Sequence, residues 1–228
     1  MSKRALYASH HPFLLLVFVA VFVLITTMIF FELTGTAFRE LGLGRIGAVV
    51  VIGGSLLGSL MNIPVARVKT EVSSPIEGHV TVFGKPCRIL SIDRSGTTIV
   101  AVNVGGALIP SAVSIYLLSK NLMLLPQALL GVVVVGIVTH LVARPTPGVG
   151  IVVPALISPL TAAMVALFVP SNVPSVVAYV SGVLGTLIGA DLTNLSSISR
   201  IGAGVVSIGG AGTFDGVFLS GILAVILA

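Results

Sequence analysis

Apolar runs of about one bilayer thickness alternate with short polar stretches along most of this chain. The first run covers residues 13–31 and the second 46–63. A helix rising 1.5 Å per residue needs about 20 such residues to cross the hydrocarbon core. Further runs follow at 97–118, 125–143, 147–169, 175–192 and 201–228. Several are broken from within: Asn103, Gly105-Gly106 and Pro110 lie in the third, Pro154 and Pro159 in the fifth, and Gly209-Gly210 in the last. Residues 32–45 read as a polar loop of mixed charge. Residues 67–96 form the one clearly hydrophilic segment. Within it, 79–83 (HVTVF) and 88–92 (RILSI) are short, β-branched and loosely alternating around Gly84-Lys85-Pro86, which predicts a small β-hairpin. The expected fold is an all-α polytopic membrane protein of about seven helices, with six to eight open. It has glycine- and proline-broken segments and one extramembrane β insertion, 66–96, within a single membrane domain, 1–228.

Composition narrows the class. The chain is 56% hydrophobic and only 8% charged, where a soluble domain is near a quarter charged, so lipid is the solvent for most of its surface. The +5 formal charge does not argue for nucleic acid, because the basic residues flank apolar runs. With seven spans and a cytoplasmic N-terminus, the inner side collects Lys3, Arg4, Arg67, Lys69, Lys85, Arg88, Arg94, Arg144 and Arg200. The outer side keeps Arg39, Arg45 and Lys120. That bias predicts a cytoplasmic N-terminus and insertion, and an external C-terminus, in the cell membrane. Cys87 is the single cysteine, which excludes an internal disulfide. No zinc-binding histidine spacing, Walker loop or nucleophile elbow is present, so no metal or cofactor is expected.

Two segments echo one another. Residues 102–107 (VNVGGA) match 206–211 (VSIGGA), and a weaker echo, Ile52-Gly53-Gly54-Ser55, lies in the second run. The bland reading is chance in a glycine-rich chain. The sharper one is an internal repeat with discontinuous helices, whose unpaired backbone groups must face protein, water or a bound ion because lipid cannot satisfy them.

Candidate chemistry rests on two acids. Asp215 stands within the last run and Asp191 closes the run before it. A carboxylate at the centre of a span costs roughly 2.5–3.5 kcal/mol on insertion scales, which marks it as a candidate functional group. Asp191 lies about one turn from its helix end, and the two acids approach only if Gly209-Gly210 unwinds or the helices tilt. Asn103, Asn194, Gly105, Gly106, Gly209 and Gly210 are the other candidate ligands: amides and unwound carbonyls able to complete a cation site. Asn103 serves equally as a cross-helix hydrogen bond. His140 reads as an interfacial histidine near the end of its span.

The stretches 103–110 (NVGGALIP), 147–154 (PGVGIVVP), 185–195 (GTLIGADLTNL) and 207–218 (SIGGAGTFDGVF) resemble an uncharacterised archaeal and bacterial family of multi-pass membrane proteins, family 1614 of the domains of unknown function. That resemblance implies membership and no activity. A weaker likeness is to presenilin-type intramembrane aspartyl proteases, which place an aspartate on each of two successive helices and use a Pro-Ala-Leu motif. Here Asp191, Asp215 and Pro154-Ala155-Leu156 correspond. Gly-Thr-Phe-Asp (212–215) departs from the protease G-x-G-D, however, and Pro-Ala-Leu precedes both acids.

The leading expectation is a small ion- or proton-coupled transporter or permease whose partners are the bilayer and a small cation, proton or solute. One alternative is an intramembrane hydrolase using Asp191 and Asp215 as catalytic acids. The other is a non-catalytic membrane assembly protein. Oligomeric state is open at this stage.

Overall fold

The first apolar run folds as part of α1 (Pro12–Glu40), and the helix continues through the stretch expected to be a loop. Thr34 and Thr36 return their hydroxyls to the carbonyls of Phe30 and Glu32, so the polar residues there cap their own helix instead of ending it. The turn comes at Gly42 and Gly44, whose φ values of +75° and +63° are ones that glycine alone adopts without cost. It leads into α2 (Gly44–Gly58). These observations come from a computed structural model that describes residues 12–69, 78–82, 85–89, 96–146, 150–210 and 216–228.

Strands occupy more of the chain than its apolar runs predicted. β1 (Asn62–Lys69) follows α2, and β2 (Gly78–Val82) pairs antiparallel with β3 (Lys85–Ile89), a hairpin in the expected place whose second strand takes in Lys85 and Pro86 and begins three residues before the expected 88–92. The run at 97–118 is not one broken helix. It opens as β4 (Thr97–Asn103), passes through a π-helical turn (Val104–Leu108) and only then becomes α3 (Ile109–Lys120). The sequence TTIVAVN is rich in β-branched residues, and beyond Thr97 every position is buried or half-buried, as in a short apolar strand covered on both faces.

After α4 (Leu125–Val142) comes a short hairpin, β5 (Arg144–Thr146) with β6 (Gly150–Val152). Then come α5 (Ile157–Phe168) and α6 (Pro174–Thr186). α6 continues as a second π-helical turn (Leu187–Asp191), a 3-10 stretch (Leu192–Ser197) and α7 (Ile198–Ile201). The last run likewise opens as a strand, β7 (Val205–Ile208), before α8 (Gly216–Leu227).

The main sheet has the order β1-β4-β7, with β4 antiparallel to β1 and parallel to β7. It gathers the end of α2, the start of α3, the end of α7 and the start of α8 on one side of the helices. The two echoing segments therefore lie side by side, each a strand leading into a Gly-Gly pair and then a helix.

α6 is the central helix. Every residue from Val176 to Val183 is buried, and α4, α5 and α8 pack around it. Glycine makes the close crossings. A Cβ on Gly182 would stand 2.9 Å from the Ser220 carbonyl oxygen of α8, and one on Gly189 would meet the Gly136 backbone of α4. Hydroxyl pairs join the same helices: Thr139 with Ser158 at 3.0 Å, and Thr186 with Ser220 at 3.1 Å. These are small-residue and polar contacts of the kind that hold helices together in lipid.

Three helices, Leu14–Glu40, Leu122–Val142 and Pro174–Ser197, are long and apolar enough to cross a bilayer, and four shorter apolar helices accompany them. The outer faces carry exposed Leu129, Leu130, Val133, Ile137 and Leu141 on α4, and α1 is bare on all sides from Leu14 to Ile29. These are the helices of a membrane protein. Only the last part of α1 joins the core, where Ala37 and Phe38 are buried and the Phe38 ring lies 6.4 Å from that of Tyr179.

Candidate functional site

Asp191 ends the π-helical turn that closes α6. A π turn sets its backbone carbonyls out of step with the α-helical ladder, so their hydrogen bonds must be found elsewhere. Asn194 supplies them: buried, it donates Nδ2 to the carbonyls of Gly189 at 3.1 Å and Ala190 at 2.9 Å. Thr193 adds a bond from its hydroxyl to the Gly189 carbonyl at 2.8 Å. His140 of α4 places Nδ1 2.8 Å from that same hydroxyl. His140 is therefore a brace between α4 and the segment that carries Asp191, a role its position in the sequence does not reveal.

The Asp191 carboxylate accepts the Gly209 N–H at 2.7 Å. That donor is available because Gly209 and Gly210 are unwound, with φ of +82° and +101°. The unwinding at Gly209-Gly210 that an approach of the two acids requires is present. A side chain there would also collide with the neighbouring break, since a Cβ on Gly209 would stand 2.5 Å from Ala107 Cβ and 2.7 Å from Ala107 N. The two Gly-Gly turns rest directly on one another. Gly105 in turn lies so close to α2 that its Cβ would meet the Ser55 carbonyl and the Ser59 amide.

Asp191 lines a cavity of about 270 Å³. Thr186 and Ala190 of the α6 segment form one wall, and Val205, Val206 and Ser207 of β7 a second. Gly150, Ile151, Val152 and Val153 form a third, and the opening residues of α8, Gly216 and Val217, complete it with Gly210. Pro154-Ala155-Leu156 follows directly on this third wall. Asp215 lies outside the described residues, but Gly210 and Gly216, the described residues on either side of 211–215, both line the cavity.

Asn103 is elsewhere. It is 1% exposed and all its polar atoms are engaged. Nδ2 donates to the Ser59 carbonyl at 2.8 Å and to Asn62 Oδ1 at 3.1 Å, while Oδ1 accepts the Gly106 N–H at 2.7 Å. Ser207 donates its hydroxyl to the same Asn62 oxygen at 2.5 Å. This network fastens β1, β4 and β7 to the π turn, and Asn103 is not among the cavity's lining residues. Of the sequence candidates, the structure brings together Asp191, Gly209 and Gly210, with Asn194 behind them. Asn103, Gly105 and Gly106 belong to the adjoining network. Among the described residues, no group of three or more histidine, cysteine or acidic side chains is placed to hold a metal ion.

The family described as "Protein of unknown function (DUF1614)" matches residues 56–227. The chain belongs to this family. The matched region takes in the whole sheet, both π turns, the cavity and α8, and it excludes α1 and most of α2. No curated protein and no solved structure matches the chain.

Proposed function

We propose that this member of family 1614 is an intramembrane hydrolase in which Asp191 and Asp215 form the acid–base pair. One observation carries the reading: Asp191 lines the cavity, and so do both described residues that flank the stretch holding Asp215. Acid–base hydrolysis by two carboxyl groups needs them to share one site, where they cannot both ionise readily and one proton is held between them. The ionised member takes a proton from water, and the water oxygen bonds to the substrate carbonyl carbon. The protonated member gives its proton to the leaving atom as the bond from carbon to that atom breaks. Thr186 and Ser207 give their hydroxyl protons to Ser220 and Asn62, which leaves their oxygens on the cavity wall as acceptors for a water.

Ion-coupled transport, favoured by the sequence alone, draws support from the unwound glycines beside Asp191. The polarity of the contact tells against it. Gly209 directs an N–H at the carboxylate, where a bound cation would call for carbonyl oxygens. The distribution of lysine and arginine supports a cytoplasmic location for the strand-bearing side of the protein, with the N-terminus on that side of the cell membrane.

The test is cleavage of a membrane-embedded fluorogenic reporter by the full chain in lipid nanodiscs. Asp191→Asn and Asp215→Asn should each lower the rate by about 10²–10⁴-fold, the usual contribution of a positioned acid or base. Asp191→Asn retains a side-chain oxygen for the Gly209 N–H and should stay folded. Proton or sodium flux into vesicles that depends on either aspartate, without cleavage, would replace this reading with transport. If both variants match the parent in both assays, the acids serve packing alone.

A further inference from the structure

The cavity beside Asp191 is bordered by two strand edges that have no partner strand among the described residues. In the main sheet β7 is terminal, with β4 as its only neighbour, and in the short hairpin β6 pairs with β5 alone. Which backbone groups face outward follows from the registers. The Ile99 N–H donates to the Gly204 carbonyl at 3.1 Å, and β4 and β7 are parallel with Ile99 beside Val205. In a parallel ladder alternate residues bond to the same neighbour. Gly204, Val206 and Ile208 therefore face β4, and Val205 and Ser207 turn their amides outward.

In the hairpin, Pro145 lies opposite Ile151 and has no N–H to give. The bonds of that ladder come from the flanking pairs, Arg144 with Val152 and Thr146 with Gly150. Ile151 turns its own N–H and C=O to the outer edge. Ile151, Val205 and Ser207 all line the cavity that holds Asp191.

We infer that the substrate is an extended peptide segment that enters between β6 and β7 as an added strand, with its backbone bonded to Ile151 on one side and to Val205 on the other. Three features point to this occupant. An open strand edge presents a row of unpaired N–H and C=O groups, and a peptide backbone carries the donors and acceptors that match them. Strand addition to an open edge is a general mode of peptide recognition. The edges are three and four residues long, enough to hold a few residues on either side of one bond and present it to Asp191. The inference deepens the hydrolase reading and rests on it for the fate of the peptide, but docking itself does not require the carboxylate.

The experiment uses the full chain in nanodiscs and a library of blocked hexapeptides carrying a photoreactive group. For each captured sequence it adds an analogue N-methylated at alternate amides. Captured peptides should cross-link to β6 or β7 and slow amide hydrogen exchange at Ile151, Val205 and Ser207. N-methylation on the bonding edge should weaken binding by about tenfold or more, the effect of losing one or two backbone hydrogen bonds. Ile151→Pro should do the same from the protein side, and the N-methyl series reads the same contacts without altering the protein. Asp191→Asn should bind peptides as the parent does while failing to cleave them. Strand docking is overturned if the library yields no cross-link to either strand, or if the N-methylated peptides bind as tightly as their parents. If docking holds but no carboxylate-dependent cleavage follows, the hydrolase reading fails and the strand site stands.

Discussion

Gly209→Ala is the sharpest test of how the two Gly-Gly turns meet. At φ +82° an L-residue costs about 1–2 kcal/mol more than glycine. The new methyl would also stand 2.5 Å from Ala107 Cβ and 2.7 Å from Ala107 N. Overpacking of this kind costs about 1–3 kcal/mol, and the backbone nitrogen has nowhere to retreat. The expected loss is therefore about 2–5 kcal/mol. It should appear as a lower midpoint in reversible unfolding by denaturing detergent in mixed micelles. A second substitution separates the two causes. Ala107→Gly removes the opposing methyl but leaves both the φ and the Ala107 nitrogen. In the Gly209→Ala background it should recover part of the steric loss, giving a favourable coupling between the sites. Gly53→Ala is the control: nothing lies within 4 Å of its added methyl, so it should be neutral or gain up to about 1 kcal/mol. If Gly209→Ala unfolds within about 0.5 kcal/mol of the parent, the expected range for a surface change, the close contact between the turns is wrong.

Other outcomes follow from single contacts. Asn103→Ala strands a buried Gly106 N–H and the Ser59 carbonyl and should cost about 2–6 kcal/mol in the same titration, since each orphaned buried group costs about 1–3. Phe38→Ala removes a ring that is fully buried against Tyr179 and should cost about 3–5 kcal/mol. Replacing the bare face-all-round stretch 14–29 of α1 with an unrelated Leu/Ala sequence should leave the unfolding midpoint unchanged, because no residue there is buried against the core.

The long apolar helices and the hairpin in the hydrophilic segment were legible because each is a local pattern: unbroken hydropathy for one, β-branched alternation around Gly84-Lys85-Pro86 for the other. Membership of the family was legible from short motifs. What escaped were strands hidden in apolar runs. Residues 97–103 and 205–208 are as hydrophobic as the helices they precede, and hydropathy alone does not separate a buried strand from a buried helix. The echo of Val-Asn-Val-Gly-Gly and Val-Ser-Ile-Gly-Gly held the information, since both copies are strands before a glycine break. The candidate site was half legible. Asp191 stood out by its charge, and Gly209-Gly210 as a glycine pair expected to break a helix. That Gly209 gives an amide to Asp191, that Asn194 and His140 brace the turn behind it, and that Asn103 closes a network of its own depend on tertiary neighbours far apart in the chain.

The parallel pairing of β4 with β7 has a consequence for biogenesis. Thr98 and Ala203, hydrogen-bonded beside this seam, are 105 residues apart, and α3, α4, α5 and α6 all intervene. A ribosome delivers β4 about a hundred residues before β7, and Asp191 is made before Gly209 exists to give it an amide. The cavity is completed only when β7 and the start of α8 follow, and a chain arrested after α7 would carry the acid without its donor.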